Sequence, residues 1–141
     1  MQIARFLWRD RVRWGVVDGE DIRRFRGDLY RSARPGDYLG PLAEARLLTP
    51  IERTNKVVGI AANYGEKDAR DGAGIFMKQP GTNIAHLEPI VYPRTCLSVI
   101  HEAEVAIVIG RAARHVSVQD ALDYVLGYTC ANDVSARDWQ E

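Results

Sequence analysis

The alternation of apolar and polar positions predicts a chain built mostly from short β-strands. Residues 2–25 contain three alternating segments, and the Asp18-Gly19 pair between the second and third is typical of a tight hairpin turn. Further predicted elements are a short helix at 43–46, a buried strand at 56–62, a strand at 74–78 and an edge strand at 88–92. The pattern therefore predicts a small antiparallel β module followed by a second, mainly β region.

The segment from 101 to 110, HEAEVAIVIG, predicts a largely buried strand because it is short and rich in β-branched residues. Side chains alternate between the two faces of a strand, so Glu102 and Glu104 share a face, with their α-carbons about 7 Å apart. Two neighbouring carboxylates repel each other. Either they form a strand end that faces water, or a hard divalent cation such as Mg²⁺, Mn²⁺ or Ca²⁺ lies between them.

A helix is predicted at 117–126, where a hydroxyl and a carboxylate have capping-box spacing and apolar residues follow at helical intervals. A returning strand at 128–131 would bring Asp133 beside Glu102 and Glu104. Three carboxylates and water suit Mg²⁺ and leave coordination positions open for a substrate. Alternatively, Asp133 caps the turn that begins a helix at Ser135.

Composition limits the classes of partner and compartment. The chain has 141 residues, enough for one domain or for a small module plus part of a larger one. Its 19 basic and 19 acidic residues balance, which gives no electrostatic case for nucleic acid or an anionic membrane. Residues 1–34, however, contain nine arginines and only five acidic residues. This excess indicates either a basic face or an ordinary solvated surface.

Targeting and redox signals point to a reducing compartment. No apolar stretch approaches the length that spans a bilayer, and the first residues resemble a strand rather than a signal peptide. Cys96 and Cys130 are far apart in apolar surroundings, so we predict buried free thiols and a cytoplasmic location.

Five segments in this order resemble the fumarylacetoacetate hydrolase family: KVVGIAANY, GIFMKQPGT, HEAEVAIVIGRAARHVS, YVLGYT and NDVSARDWQ. The most specific are the E-x-E before an apolar I-G-R strand and the N-D-x-S-A-R-D-x-Q segment. The resemblance implies an α+β, mostly β fold. Residues 1–52 would form the small N-terminal antiparallel β domain of bacterial members, and residues 53–141 the first half of a mixed β-roll catalytic domain.

The resemblance also implies a divalent metal, usually Mg²⁺, held by the residues that match its ligands: Glu102, Glu104 and Asp133. Members act on small 2-oxo or diketo acids, often in the breakdown of aromatic compounds. They hydrolyse C–C bonds, decarboxylate, or isomerise their substrates, and each reaction passes through an enolate or its equivalent that the metal stabilises.

Four further residues match substrate-pocket positions of the family. Arg137 and Gln140 would line the pocket, Lys78 would lie near the metal, and Tyr64 would mark the entry to the active-site loop. Each has a structural alternative: a surface arginine with its polar neighbour, a lysine at a strand end, and a packed ring.

The sequence departs from the family in the loop NYGEKDARDG, where hydrolytic members carry a histidine paired with a glutamate. Lys67 stands at the histidine position and Arg70 near the glutamate position, and neither is a base at neutral pH in a charged loop. Hydrolysis by the usual dyad is therefore disfavoured. Glu66, Asp68 or Asp71 could replace it, or the reaction needs no such base. The alternative function is a non-catalytic subunit or pseudoenzyme.

The family's catalytic domain continues beyond the segment that ends this sequence. A half-roll leaves sheet edges and apolar faces uncovered. We therefore expect either a fragment, a degenerate product without activity, or a complete site formed with a second half. The expected partners are a 2-oxo acid and either a second copy of the chain or a companion chain.

Overall fold

The computed structural model describes residues 1–29, 31–61, 63 and 74–140. The described residues form eleven strands: β1 (Gln2–Trp8), β2 (Arg11–Asp18), β3 (Asp21–Arg26), β4 (Arg34–Pro41), β5 (Arg46–Leu47), β6 (Val57–Ala61), β7 (Gly74–Lys78), β8 (Val99–Ile100), β9 (Ala103–Ile109), β10 (Val125–Asn132) and β11 (Ser135–Ala136). Short 3₁₀ helices cover Leu42–Glu44, Ala121–Tyr124 and Arg137–Trp139. The predicted mostly β fold class is confirmed.

The N-terminal strands form a five-stranded sheet in the order β4-β3-β2-β1-β5. Strands β1 and β2 pair antiparallel from Gln2 opposite Val17 to Trp8 opposite Arg11. Two residues, Arg9 and Asp10, connect them, and both have positive φ, as a type I′ hairpin turn requires. The predicted turn between β2 and β3 is confirmed, with Gly19 at a φ of 63°.

The main buried cluster of this sheet lies on one face, while Val16, 2% exposed, is buried on the other. Phe6, Trp8 and Ile22 form this cluster, and partly buried apolar side chains surround them: Ala4, Val17, Leu39, Leu42, Ala45 and Leu47. Gly40 leaves room for the Trp8 ring, because a β-carbon at that position would clash with it. Alternation in β1 places Phe6 and Trp8 together on this face, which is why the sequence pattern identifies the strand.

The remaining strands form three antiparallel two-stranded sheets: β6 with β7, β9 with β10, and β8 with β11. The strand predicted at 101–110 corresponds to β9, but its predicted burial is wrong for this chain. Val105, Ile107 and Ile109 are 66%, 56% and 59% exposed. Strand β6 is likewise half exposed rather than buried. Pairing in a two-stranded sheet satisfies one edge of each strand and covers neither face. These apolar faces therefore have no covering layer within the described residues.

The helix predicted at 117–126 is wrong. Ser117 does bond as a cap would, because the Asp120 amide donates to its hydroxyl oxygen at 3.2 Å. The chain then makes only a 3₁₀ turn and enters β10 at Val125, which pairs with Ile109. Leu122, on the proposed apolar stripe, is 72% exposed. Val125 is used in strand pairing instead, and within the described residues a short helix would gain little from packing because Val118 and Leu122 stay exposed.

Three smaller predictions also need correction. The helix at 43–46 is a 3₁₀ turn at Leu42–Glu44, and Arg46 belongs to β5. Residues 88–92 form no strand, because proline at both sides removes backbone donors. Cys96 is a buried free thiol as predicted, whereas Cys130 is exposed on β10.

The chain divides into two compact units. One contains Met1–Arg24 and Gly36–Glu88, and the other contains Phe25–Pro35 and Pro89–Glu141. The domain ranges 1–52 and 53–141 stay a prediction from sequence. Among the residues the structure describes, no helix has the length and apolar character needed to cross a membrane.

Candidate functional site

The three predicted metal ligands lie at one end of the β9–β10 pair. Glu104 is opposite Ala131, and Ala103 is opposite Asn132. The Asp133 amide then donates to the Glu102 carbonyl at 2.9 Å, so Asp133 is the next residue across from Glu102. Residues that lie opposite each other share a face, as do residues two apart. The register therefore places Glu102, Glu104 and Asp133 on the same face of the pair.

Asn132 holds this end of the pair together. The amide of Glu102 donates to the Asn132 side-chain oxygen at 3.1 Å instead of to the carbonyl of the opposite strand. The Asn132 side chain therefore satisfies the Glu102 amide at the point where β10 ends, one residue before Asp133. Glu102, Glu104 and Asp133 are all half-buried, and the Asp133 Oδ1 atom is shielded from solvent.

Arg137 lies next to Glu102, and Gln140 lies next to Arg137, while their predicted place in a substrate pocket stays a prediction. The Arg137 guanidinium is 3.8 Å from a Glu102 carboxylate oxygen. The same Nη1 atom donates to the Gln140 amide oxygen at 3.0 Å. Glu102, Arg137 and Gln140 thus form a chain of polar side chains. Their exposure allows the guanidinium to exchange the glutamate for another anion.

The segment that carries Arg137 is anchored to residues 96–100. Strand β11 pairs with β8, and the Arg137 amide donates to the Ser98 carbonyl at 2.8 Å. Asp138 adds a second anchor, because its carboxylate accepts hydrogen bonds from the Leu97 amide at 2.9 Å, the Ser98 amide at 3.3 Å and the Cys96 thiol at 2.8 Å. Asp138 is therefore a positioning residue that sequence reasoning missed.

The Cys96–Asp138 contact shifts the pKa of both groups. The pKa of the Cys96 thiol is raised, first by burial and then by its hydrogen bond to the carboxylate. The pKa of the Asp138 carboxyl is lowered from its ordinary value of 3.8, first by that thiol and then by the Leu97 amide. Cys96 thus acts as a neutral donor to a carboxylate rather than as a reactive thiolate.

We expect the Asp138→Asn variant to be less stable than the wild type above about pH 5, with the difference shrinking as the pH falls below about 4. A lowered folded pKa means that the carboxylate contributes stability above its unfolded pKa and loses it as pH falls through the folded one. Thermal unfolding across this pH range measures the difference. A difference that stays constant down to pH 2 would contradict the role of the charge.

The donor set suits a hard divalent cation, because all three candidate ligands offer carboxylate oxygens. Their strand positions suit it as well. As the side chains stand, however, no group of three His, Cys, Asp or Glu side chains within the described ranges is arranged to hold a metal ion. One reason is visible at Glu102, whose carboxylate is directed to Arg137. Metal binding by Glu102, Glu104 and Asp133 therefore requires a side-chain rearrangement and stays a prediction.

Three of the predicted site residues, Lys78, Tyr64 and Lys67, are not part of the described acidic end of β9–β10 and their roles stay untested. Lys78 ends β7 in the other compact unit, where its ammonium lies 5.7 Å from the centre of the Phe76 ring. Its role near the metal stays a prediction. Tyr64 and Lys67 lie outside the described residues, as do Arg70 and the neighbouring acids.

Two family models match the sequence. The one described as "Fumarylacetoacetate (FAA) hydrolase C-terminal" matches residues 54–141, and the one described as "Rv2993c-like, N-terminal" matches residues 1–50. Among curated relatives, Protein Rv2993c of Mycobacterium tuberculosis is 44% identical over 100% of this chain and 58% of that protein. The human mitochondrial oxaloacetate tautomerase FAHD2A is 35% identical over 71% of this chain and 34% of its own length.

A solved structure agrees over the whole chain. The crystal structure of 2-hydroxyhepta-2,4-diene-1,7-dioate isomerase from Mycobacterium marinum is similar with a TM-score of 0.85 and 36% identity. The similarity covers 99% of this chain and 56% of that one. The present sequence therefore spans a little more than half of the two mycobacterial proteins and about a third of the human one.

Proposed function

Because this chain belongs to the fumarylacetoacetate hydrolase family, we propose that it forms part of an Mg²⁺-dependent enzyme acting on a small 2-oxo or diketo acid. The observation that carries the proposal is the shared face of Glu102, Glu104 and Asp133 at the end of β9–β10. Mn²⁺ or Ca²⁺ would suit the same oxygen donors.

The proposed roles follow from the chemistry of each side chain. Bound Mg²⁺ would act as a Lewis acid toward the oxo oxygen of the substrate as negative charge develops there. Glu102, Glu104 and Asp133 supply the anionic ligands that hold the ion. Arg137, which pairs with Glu102 and donates to Gln140, would bind the substrate carboxylate, and Gln140 would orient its guanidinium. Lys78 and Tyr64 are proposed as further substrate contacts.

We favour isomerisation or tautomerisation over C–C hydrolysis. Lys67 occupies the position of the histidine on which hydrolytic members depend, and the loop offers no dyad of the usual kind. Moving a proton between carbon and oxygen of a 2-oxo acid needs no activated water, and the same holds for decarboxylation. The printed names of relatives include an oxaloacetate tautomerase and a dienedioate isomerase, which supports this choice.

The complete active site would include protein beyond this sequence. The face formed by Val105, Ile107 and Ile109 on β9 continues across Tyr128 and Cys130 on β10, all exposed. An apolar face of this kind is costly in water. We propose that the second half of the fold covers it, from a longer polypeptide or a companion chain, in an assembly that would be a homodimer or a pair of halves.

The second candidate is a non-catalytic subunit or pseudoenzyme. Lys67 in place of the usual base favours it. In that case the chain would contribute its fold as an interaction surface.

We expect this chain, joined to a second half of the roll from a full-length relative, to accelerate the enol-to-keto conversion of oxaloacetate in the presence of Mg²⁺. The ultraviolet absorbance of the enol measures the rate. The chain without that half is the matched control and is expected to be inactive. If the assembled protein is stable and folded yet leaves the uncatalysed rate unchanged with Mg²⁺, Mn²⁺ and Ca²⁺, the non-catalytic candidate replaces the enzyme.

A further inference from the structure

A polar cleft lies on the N-terminal sheet, and none of Glu102, Glu104 and Asp133 lines it. It has a volume of about 440 Å³ and falls within one compact unit. It is lined by three arginines, two glutamates, two threonines, Leu48 and Ala85. The arginines are Arg5, Arg46 and Arg53, so the lining carries one more positive charge than negative.

The register explains why two of the arginines meet. Arg46 is opposite Leu7, and the Leu48 amide donates to the Arg5 carbonyl at 2.8 Å. Arg5 and Arg46 are therefore diagonal neighbours on the sheet face opposite to the Phe6 core. Neighbouring like charges on one face repel each other unless an anion lies between them.

Arg53, the third arginine of the lining, has partners within the protein. Its Nε atom donates to the Asn83 carbonyl at 3.3 Å, and a terminal nitrogen lies 3.8 Å from a Glu88 carboxylate oxygen. Glu88 also accepts the Ala85 amide at 3.0 Å. Arg53 and Glu88 thus fix each other and one wall of the cleft.

Arg5 and Arg46 differ in this respect. Within the part of the chain that the structure describes, neither guanidinium has a hydrogen-bond or ion-pair partner. Arg5 is half-buried, which removes part of the water that would otherwise solvate its charge. Glu52, the other acid of the lining, offsets only one of the two charges. The cleft therefore presents two planar donor groups with one uncompensated positive charge.

We propose that this cleft binds a small oxyanion, a carboxylate or phosphate group, between the guanidiniums of Arg5 and Arg46. The fork of N–H donors on each guanidinium matches the oxygens of either group. The site is independent of the proposed function, since it uses no residue of the acidic face.

The test is calorimetric titration of the chain with inorganic phosphate and, separately, with malonate, at low ionic strength and with EDTA present to exclude metal-mediated binding. We expect saturable one-to-one binding that weakens as salt is raised. Binding of phosphate alone or of malonate alone identifies the preferred group, and binding of both identifies the shared chemistry. No binding of either anion overturns the proposal.

Variants distinguish binding in the cleft from non-specific attraction of anions to a basic surface. Arg5→Gln and Arg46→Gln should each weaken binding by roughly tenfold or more, because each removes a charge-assisted hydrogen bond. Arg24→Gln, an exposed arginine of β3 outside the lining, is the matched control and should bind as the wild type does. Glu52→Gln should strengthen binding, which keeps the test decisive even if an arginine variant fails to fold. Equal affinities across all four variants would overturn the proposal.

Discussion

Replacing Glu102 and Glu104 together with glutamine is expected to weaken Mn²⁺ binding by at least roughly a hundredfold, since two charged ligand interactions are lost. Glutamine keeps the size of each side chain and leaves β9 paired with β10, but it removes two negative charges from the face that Asp133 shares. Calorimetry with Mn²⁺ measures the loss.

The matched control is Asp123→Asn, which removes an acidic charge from the 3₁₀ turn of the same compact unit. It should bind Mn²⁺ as tightly as the wild type. Circular dichroism of the double variant checks that the strands remain. A folded Glu102→Gln, Glu104→Gln protein with wild-type Mn²⁺ affinity would rule out these residues as ligands.

Truncating Phe6 to alanine is expected to reduce the free energy of unfolding by about 3–5 kcal/mol. Phe6 is 0% exposed at the centre of the N-terminal core, against Trp8 and Ile22. A loss of this size is a large part of the stability of a small domain. Urea unfolding followed by tryptophan fluorescence measures it, because Trp8 lies in the same core.

Val12→Ala is the control for that substitution. Val12 is on β2 of the same sheet but is 54% exposed, so its truncation should cost less than about 0.5 kcal/mol. If both variants unfold at the same urea concentration, the core does not lie on the face where Phe6 is buried.

The sequence predicted the first three strands well because each has a buried and an exposed face. Phe6 and Trp8 alternate with more exposed neighbours along β1, and Asp18-Gly19 supplies turn chemistry. The sequence does not predict the turn between β1 and β2, because Arg9 and Asp10 adopt positive φ although neither is a glycine. The sequence does not predict strand β4 either. Its prolines and glycines are typical of turns, yet the segment is extended and pairs with β3.

Predictions failed where a local pattern competed with a tertiary partner. The stripe containing Leu122 has helical spacing, but Val125 pairs with Ile109, and Leu122 stays 72% exposed in the part of the chain that is described. Burial of β9 was inferred from its β-branched residues. Burial, however, depends on a covering layer, and composition alone does not reveal whether the same chain supplies that layer.

The acidic face was predictable because strand alternation and register are simple geometry. Glu102 and Glu104 share a face by their spacing, and the return of β10 brings Asp133 opposite Glu102. The anchor formed by Asp138 was not predictable in the same way. Its partners at Cys96 and Leu97 lie about forty residues earlier, and only pairing of β8 with β11 brings them together.

The most direct test of the central claim is the rate of oxaloacetate tautomerisation by the assembled protein as a function of Mg²⁺ concentration, with the Glu102→Gln, Glu104→Gln variant measured in parallel. The account predicts a rate that rises with Mg²⁺ and saturates for the wild type, is abolished by EDTA, and does not respond to Mg²⁺ in the variant. Catalysis that is unchanged by EDTA, or equal in wild type and variant, would contradict it.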